Sequence, residues 1–276
     1  MTLVGKTMIM SGGSRGIGEA IAVRAARDGA NVALLAKTAE PHPKLPGTIY
    51  TAAKAIEDAG GKALPILCDV RDDDAVVAAV AKTVETFGGI DIVVNNASAI
   101  DLTASESVSM KRYDLMQDVN ARGSFMLSRL AIPHLRKSAN GHILTLSPPI
   151  SLDPKWFVDG HLAYSIAKYS MSLVTVGLSA ELRADGVAAN SLWPRTTIDT
   201  AAIRNVVGAE LANFSRTPDI MADAAYAIIT RPSRETTGRF FIDDEVLSAE
   251  GVTDFAKYRL CEREEDLKLD FWVEQS

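Results

Sequence analysis

The chain has 276 residues, of which 47% are hydrophobic and 23% charged, a balance typical of a globular protein that buries a sizeable core. Its formal net charge of −6 argues against a nucleic-acid partner, because phosphates favour a basic surface. The longest apolar runs have the length of strands and the first residues lack a signal-peptide pattern, so we expect no membrane span.

Short apolar runs alternate along the chain with segments of helical periodicity. Strands are predicted at 7–11, 31–35, 63–69, 90–95, 142–147, 187–192 and 240–242. Helices are predicted between them at 17–28, 49–59, 73–87, 110–135 (two helices meeting near Asn120), 164–184 and 220–229. Because most strands are apolar on both faces, this pattern predicts an α/β fold with a doubly wound parallel sheet of the Rossmann type. We expect about seven strands in a single domain over 1–276, with helices on both faces and a C-terminal extension after about residue 245.

A glycine-rich turn follows the first predicted strand and precedes the first predicted helix. In "SGGSRGIGEA", Gly12, Gly16 and Gly18 have the spacing G-x-x-x-G-x-G. Glycine permits a positive φ and lets a pyrophosphate approach the backbone, and the N-terminus of the next helix offers N–H groups and a positive dipole end. In this strand–turn–helix context the motif predicts nucleotide binding.

The end of the second predicted strand favours NADP(H) over NAD(H). An Asp or Glu about 20 residues after the glycines usually holds the ribose 2′-hydroxyl of NAD. Here "ALLAKT" places Ala36 and Lys37 at that point, and Arg15 lies within the glycine loop. A carboxylate would repel a 2′-phosphate, whereas Lys37 and Arg15 would attract it. Both cations could equally be solvated surface charges.

Polar residues end the third and fourth predicted strands. Ligands of open α/β sheets bind at the carboxyl ends of the strands. Asp69 in "CDVRD", and Asn95, Asn96 and Ala97 in "IVVNNAS", are therefore candidates to face the adenine or the ribose. Asp69 could also cap the following helix, since Asp is favoured at that position, and the two roles are compatible.

Tyr164 and Lys168 lie four residues apart in "AYSIAKYSMS", so they share one face of a predicted helix. A lysine ammonium within a few ångströms stabilises a phenolate, and a tyrosine pKa lowered by two or three units corresponds to about 3–4 kcal/mol. Such pairs are common on helix surfaces. The spacing alone therefore leaves open whether the two residues are catalytic or only neighbours.

Cysteine and histidine are too sparse to indicate metal chemistry. The two cysteines, Cys68 and Cys261, are far apart, and the four histidines are scattered at positions 42, 134, 142 and 161. We expect no metal site and a reducing, cytoplasmic location.

Taken together, the motifs resemble those of the short-chain dehydrogenase/reductase family. The stretches "GGSRGIG", "NNAS", "DVNARGSF", "GHILTLS", "YSIAK" and "NSLWP" follow that family's order and approximate spacing, over nearly the whole chain to about residue 245. Several segments resemble a hydroxysteroid dehydrogenase-like subgroup, whose sterol-carrier domain we expect this chain to lack. The resemblance implies hydride transfer between NADP(H) and an alcohol or carbonyl substrate that is apolar or lipid-like. It also implies a homodimer or homotetramer.

The resemblance implies a role for each matching residue. Tyr164 would protonate the carbonyl oxygen or deprotonate the hydroxyl, and Lys168 would bind the nicotinamide ribose and depress the tyrosine pKa. Asn120 would hold a water of the proton relay, although it could instead be a polar kink between two helices. Further cofactor contacts are implied for the residues Ser14, Ile17, Val70, Pro194 and Thr197.

The chain departs from the family pattern at a serine, usually 13 residues before the tyrosine, that holds the substrate oxygen. Counting along the fifth strand puts Pro148 at that site, whereas counting back from Tyr164 gives Ser151, so the loop is longer than usual. We favour Ser147, beside the strand-derived position, over Ser151, and a third possibility is that no serine takes the role. The anomaly motivates an alternative function, an NADP(H)-binding sensor or scaffold with little catalytic activity.

Two further departures replace glycines. Ser98 ends "NNAS" and Arg195 follows the proline of "WPRTT", where the family prefers glycine at both positions. Arg195 could pair with an acidic group of the substrate or could point to solvent. Thr196 and Thr197 could contact the nicotinamide carboxamide.

Overall fold

Seven parallel strands form one sheet, in the order β3-β2-β1-β4-β5-β6-β7, within the described part of the chain. The structure is a computed structural model that describes residues 1–41, 47–158 and 160–274, so the histidine at position 42 lies outside the described residues. The strands are β1 (Thr7–Ser11), β2 (Asn31–Ala36), β3 (Lys62–Leu67), β4 (Ile92–Asn95), β5 (His142–Thr145), β6 (Ala188–Trp193) and β7 (Phe240–Ile242). This sheet confirms the predicted doubly wound fold. The strand order reverses between β1 and β4, where such sheets form a ligand-binding crevice.

Helices cover both faces of the sheet. They are α1 (Gly16–Ala26), α2 (Ile49–Asp58), α3 (Asp73–Phe87), α4 (Met110–Met116), α5 (Gly123–Leu135), α6 (Leu162–Glu181), α7 (Asp219–Ile229) and α8 (Asp243–Ala249). Alternate residues of β1 point to opposite faces, so Met8 and Met10 pack with α1, α2 and α7, whereas Ile9 packs with α3, α5 and α6. Strand β1 is therefore buried on both sides, as its apolar sequence predicts, whereas the edge strand β3 is partly exposed.

The long periodic segment over 110–135 divides as the sequence predicts. Between α4 and α5 lies a π-helical turn, Gln117–Arg122, in which Gly123 N donates to the carbonyl of Asp118 five residues back. Asn120 occupies the middle of this turn. Turns of this kind insert one extra residue into a helix and are frequent at functional sites.

The chain after β7 holds structure that periodicity does not predict. Helix α8 follows β7 directly, and short 3₁₀ turns occur at Ala256–Tyr258 and Glu264–Asp266. Residues 268–274 then return to the body of the protein, where Thr196 and Leu269 form an antiparallel bridge. We call residues 268–274 the C-terminal segment. No helix in the described ranges is long and apolar enough to cross a membrane.

Candidate active site

A cavity of about 590 Å³ follows the carboxyl ends of the strands. Its walls come from the loop after β1, the ends of β2, β3 and β4, the start of α6 and the residues after β6. Lys37 lies in the wall at the end of β2, and Tyr164 lies in the wall formed by α6. The cavity thus brings together most of the residues that the sequence singles out.

The glycines of the loop after β1 are required by backbone geometry and by close packing. Gly12 has a φ of +73°, and a Cβ there would lie 2.8 Å from Ala97 Cα. Gly16, the first residue of α1, has a φ of +58°. A Cβ on Gly18 would lie 2.5 Å from Asn96 Nδ2. Gly12 and Gly16 line the cavity together with Ser14, Arg15 and Ile17, so the backbone of this turn forms part of its wall.

The "NNAS" stretch ties this loop to β4. Asn96 Nδ2 donates to the carbonyls of Gly12 (2.8 Å) and Ser11 (3.2 Å), and Ser11 Oγ accepts from the backbone N–H groups of Asn96 and Ala97. Asn96 and Ala97 line the cavity. Asn95 instead points into the core, where its amide donates to Ser128 Oγ (2.8 Å).

Charged groups surround the end of the cavity near β2 and β3. Lys37 Nζ lies 3.4 Å from the carboxylate of Asp69, and its side chain is 58% exposed. Asp69 also accepts three hydrogen bonds from the Arg71 guanidinium, which hold the pKa of that carboxyl well below its usual range. Arg15 donates to the carbonyl of Gly47 (2.8 Å). Val70 lines the cavity beside Asp69.

Tyr164 and Lys168 are both buried in the first two turns of α6 and line the cavity together. Lys168 Nζ donates to the carbonyl of Leu146 and lies 4.9 Å from the centre of the Trp193 ring. Burial raises the pKa of Tyr164 well above its ordinary value and lowers the pKa of Lys168 to about 7. In this arrangement the tyrosine pKa moves in the direction opposite to the depression that the sequence predicts.

Asn120 is fully buried and forms hydrogen bonds that hold the loop after β4 in place. Its Oδ1 accepts from the backbone N–H of Ala99 (2.7 Å), and its Nδ2 donates to the carbonyl of the same residue (3.0 Å). The side chain is thereby engaged at both ends, while its neighbour Val119 lines the cavity. Each end of the amide keeps one further hydrogen-bonding site, since the oxygen has a second lone pair and the nitrogen a second hydrogen.

Neither predicted serine reaches the cavity. Ser147 Oγ is buried and forms a hydrogen bond with Ser191 Oγ (2.9 Å), which donates in turn to Thr175 Oγ1 (2.9 Å). Ser151 Oγ accepts from the Trp156 indole N–H (3.1 Å). Beyond the end of β5 at Thr145, Leu146 lines the cavity, whereas the side chain of Ser147 turns into the core.

Ser98 is the serine that lines the cavity beside the tyrosine. The Ser98 side chain lies close enough to the Tyr164 hydroxyl to offset a small part of the rise in the tyrosine pKa that burial causes. Sequence reasoning noticed Ser98 as a departure from glycine but assigned it no role.

The residues after β6 differ from the sequence-based expectation. The Arg195 guanidinium pairs with Asp244 (2.8 Å) and Glu245, so it turns neither to the cavity nor to solvent. Thr197 Oγ1 forms a hydrogen bond with Ser215 Oγ (2.8 Å) and does not line the cavity. The cavity is lined instead by Pro194, Ile198 and Thr200.

The C-terminal segment supplies two cavity residues that sequence reasoning missed, Asp270 and Phe271. Trp272 packs beside the Tyr164 ring, with 5.8 Å between the ring centroids. The adjacent aromatics "FW" in a charged tail were the available signal that this stretch packs on the body. Within the described ranges, no group of three His, Cys, Asp or Glu is placed to hold a metal ion.

Comparisons with known sequences and structures match this chain to short chain dehydrogenases. The sequence model of the short chain dehydrogenase family matches residues 6–210. The chain is 54% identical over 274 residues to hydroxysteroid dehydrogenase-like protein 2 of Xenopus tropicalis and 50% identical over 273 residues to the Homo sapiens protein of that name. These alignments cover 99% of this chain but 65% and 64% of the relatives, so the chain spans less than two thirds of their length. A crystal structure of a short chain dehydrogenase from Mycobacterium thermoresistibile is 56% identical, with a TM-score of 0.93 over 99% of this chain and 96% of that one.

Proposed function

Since the chain belongs to the short-chain dehydrogenase family, we propose that it is an NADP(H)-dependent oxidoreductase that interconverts an alcohol and a carbonyl compound. One observation carries the proposal. Tyr164 and Lys168 line the same cavity as a glycine loop that needs positive φ and excludes side chains. A proton donor and a dinucleotide cradle on one cavity are the parts that this reaction requires.

The residues present fit a dinucleotide. Gly12, Gly16 and the N-terminus of α1 are suited to a pyrophosphate, and Asn96 fixes the loop that presents them. Lys37 and Arg15 at the cavity wall favour a 2′-phosphate, and no carboxylate ends β2 where NAD-binding proteins place one. When bound, the cofactor would supply or accept the hydride.

The protein's own residues move and hold the proton. Because burial raises the pKa of Tyr164, its phenol stays protonated at neutral pH, which is the form that donates to a carbonyl oxygen. Lys168 provides a positive charge on the same wall, and Asn120 fixes the loop that carries Ser98 and Ala99.

The substrate side of the cavity is apolar. Near Tyr164 its walls include Ile100, Leu115, Leu146 and Phe271. Arg195 is engaged by two carboxylates and does not offer a charge to an acidic substrate. We therefore assign an apolar, lipid-like carbonyl compound as the substrate, in keeping with the relatives named for hydroxysteroids.

The test is turnover by purified protein with NADPH and a panel of apolar ketones and aldehydes. Tyr164→Phe is expected to lower kcat by about 10²–10⁴-fold without loss of NADPH binding, because it removes only the transferable proton. Tyr169→Phe is the matched control, since Tyr169 lies on the same helix and donates to the carbonyl of Ser151 outside the cavity. Equal turnover by wild type and Tyr164→Phe would show the mechanism to be wrong.

A second candidate is an NADP(H)-binding sensor or scaffold. It is favoured by the position of Ser147 and Ser151, whose hydroxyls do not reach the cavity. It predicts tight NADPH binding, measured by nicotinamide fluorescence, with no hydride transfer to any member of the panel.

We further assign a homodimer or homotetramer in a reducing cytoplasm. Apolar side chains on the outer faces of α5 and α6 are exposed, including Phe125 (49%), Leu173 (60%) and Val176 (43%). A second copy would cover them. Sedimentation analysis of the purified chain tests this assembly.

A further inference from the structure

The C-terminal segment is held against β6 and the residues that follow it. Asp270 N donates to the carbonyl of Arg195 (2.9 Å), and the Trp193 indole N–H donates to the carbonyl of Phe271 (2.9 Å). The Arg195 guanidinium also donates to the carbonyl of Glu274 (2.8 Å). Main-chain bonds on both sides of Asp270 therefore fix where its side chain can lie.

Trp272 anchors the segment over the catalytic tyrosine. It is 3% exposed, and its ring centroid lies 5.8 Å from that of Tyr164, 5.6 Å from that of Tyr169 and 5.5 Å from that of Trp193. Its φ of +61° lies in the left-handed region, which is sterically unfavourable for a bulky residue. A backbone held in that region requires the surrounding packing to impose it, so the segment has a defined position.

Lys168 needs a negatively charged neighbour to keep its ammonium protonated at this buried position. Its side chain is 2% exposed, and its near neighbours are the carbonyl of Leu146, the Trp193 ring and the sulfur of Met171. None of these groups carries a full charge. An ammonium that is removed from water and left without a carboxylate tends to lose its proton.

Two acidic residues are found among the described residues that line the cavity, Asp69 and Asp270. Asp69 is held by the Arg71 guanidinium and by Lys37 at the β2–β3 end. Asp270 lines the same cavity as Lys168, and the charge of each favours the charged form of the other. Burial, and then the charge of Asp243, raise the pKa of Asp270 to about 7, so its carboxylate forms over the same pH range in which Lys168 titrates. Asp270 is therefore the carboxylate available to this lysine.

We propose that Asp270, supplied by the C-terminal segment, is a positioning residue of the active site whose carboxylate keeps Lys168 charged beside Tyr164. The proposal rests on the proposed function for its use in the reaction, because the charged lysine matters there. It makes the C-terminal segment part of the active site rather than a mere extension of the fold.

Other charged and titratable groups also act on the pair, and the effect of Asp243 on the pKa of Asp270 exceeds that of Lys168. Asp243, at the start of α8, opposes ionisation of Asp270, and Arg216 favours ionisation of Asp243. Tyr164 on α6 is neutral at ordinary pH because burial raises its pKa. The direct effect on Lys168 therefore comes from Asp270, whose negative charge opposes the loss of the lysine proton.

The test measures the pKa of Lys168 in the cofactor-free protein. Trace acetic anhydride acylates only neutral amines, so labelling of the Lys168 peptide across pH 5–10, followed by mass spectrometry, reports that pKa. Wild type is expected to titrate near pH 7. Asp270→Asn keeps an acceptor for the backbone N–H of Phe271 but removes the charge, and is expected to lower the Lys168 pKa by about one unit.

Three comparisons decide the result. Asp266→Asn, in the same tail but paired with Arg263 at the surface, is expected to leave the Lys168 pKa unchanged, and Asp270→Glu to restore it towards wild type. In active protein, the pH above which kcat/KM falls should be about one unit lower in Asp270→Asn than in wild type. The proposal is overturned if Asp270→Asn leaves the Lys168 pKa unchanged or raises it, or if the fall of kcat/KM at high pH occurs at the same pH as in wild type. If the wild type shows no turnover but the Lys168 pKa still falls in Asp270→Asn, the proposed function is refuted and the assignment of Asp270 stands.

Discussion

Lys37 is expected to set the preference for NADPH over NADH, and the structure gives the size of the effect. Two unit charges about 4 Å apart interact by about 1 kcal/mol in water and about 4 kcal/mol near a protein surface of effective dielectric 20. Because the Lys37 side chain is 58% exposed, the lower figure applies. Lys37→Ala should then weaken NADPH binding by about fivefold, and Lys37→Asp, which adds a repulsion of similar size, by about 30-fold.

The binding of NADH should respond differently. It has no 2′-phosphate, so Lys37→Ala should leave its Kd nearly unchanged. Asp69 keeps its pairing with Arg71 in either variant, so the walls of the adenosine end should persist. The ratio of the two dissociation constants therefore isolates the electrostatic effect from any general damage to the site.

The assay is titration of nicotinamide fluorescence at low and at physiological salt. Lys62→Asp is the matched control, because it makes the same change in net charge as Lys37→Asp. Lys62 is exposed at the N-terminal end of β3 and does not line the cavity. The Lys37 effect should shrink as salt rises, since exposed charges are screened. Tighter or equal binding of NADH by wild type, with no response to Lys37→Asp, would refute the assignment of NADP(H).

Two further predictions concern the serine anomaly and the buried acid of α8. Ser98→Ala should lower kcat by about tenfold or more, because it removes the hydroxyl beside Tyr164, the proposed proton donor. Ser147→Ala should instead reduce stability but leave kcat per folded molecule unchanged, because its hydroxyl is bonded within the core. Steady-state kinetics and thermal melts separate the two effects, and the reverse order would contradict the geometry. Burial raises the pKa of Asp243 to about 7 from an ordinary value near 4. Between these pH values the folded chain keeps a proton that the unfolded chain has lost, so stability falls as pH rises through this window. Asp243→Asn should remove that loss. The Tm of the variant minus the Tm of wild type should therefore increase by at least about 2 °C from pH 4 to pH 8.

Local periodicity was sufficient for the body of the fold. Strands such as β1 and β4 are buried and mainly apolar, and the helices between the strands have faces that repeat every three to four residues. The division near Asn120 was also predictable. Helix α8 was not, because seven residues with three acids in the first turn show no usable period, and its stability comes from packing against α7.

The positions of the glycine loop, Lys37 and the Tyr164–Lys168 pair at the cavity were predictable, because each is a short motif in or beside a regular element. Ser147 was misplaced relative to the cavity because its direction depends on where β5 ends, which counting along a sequence does not fix. Thr197 was displaced for a similar reason, since its backbone N–H is taken by the carbonyl of Lys268, about 70 residues further along the chain. Contacts of that sequence separation leave no local signal.

The replacement of a family glycine by Arg195 and the presence of the C-terminal segment have one structural explanation. The Arg195 guanidinium joins Asp244 of α8 to the backbone of Glu274, and its own carbonyl accepts from Asp270 N. A glycine at this position could provide the carbonyl but not the side-chain bridge. Arg195 therefore fastens the segment that brings Asp270 to Lys168, which is why a cation beside the cavity takes no part in binding an acidic substrate. The departure from the family pattern and the added carboxylate in the active site belong to the same arrangement.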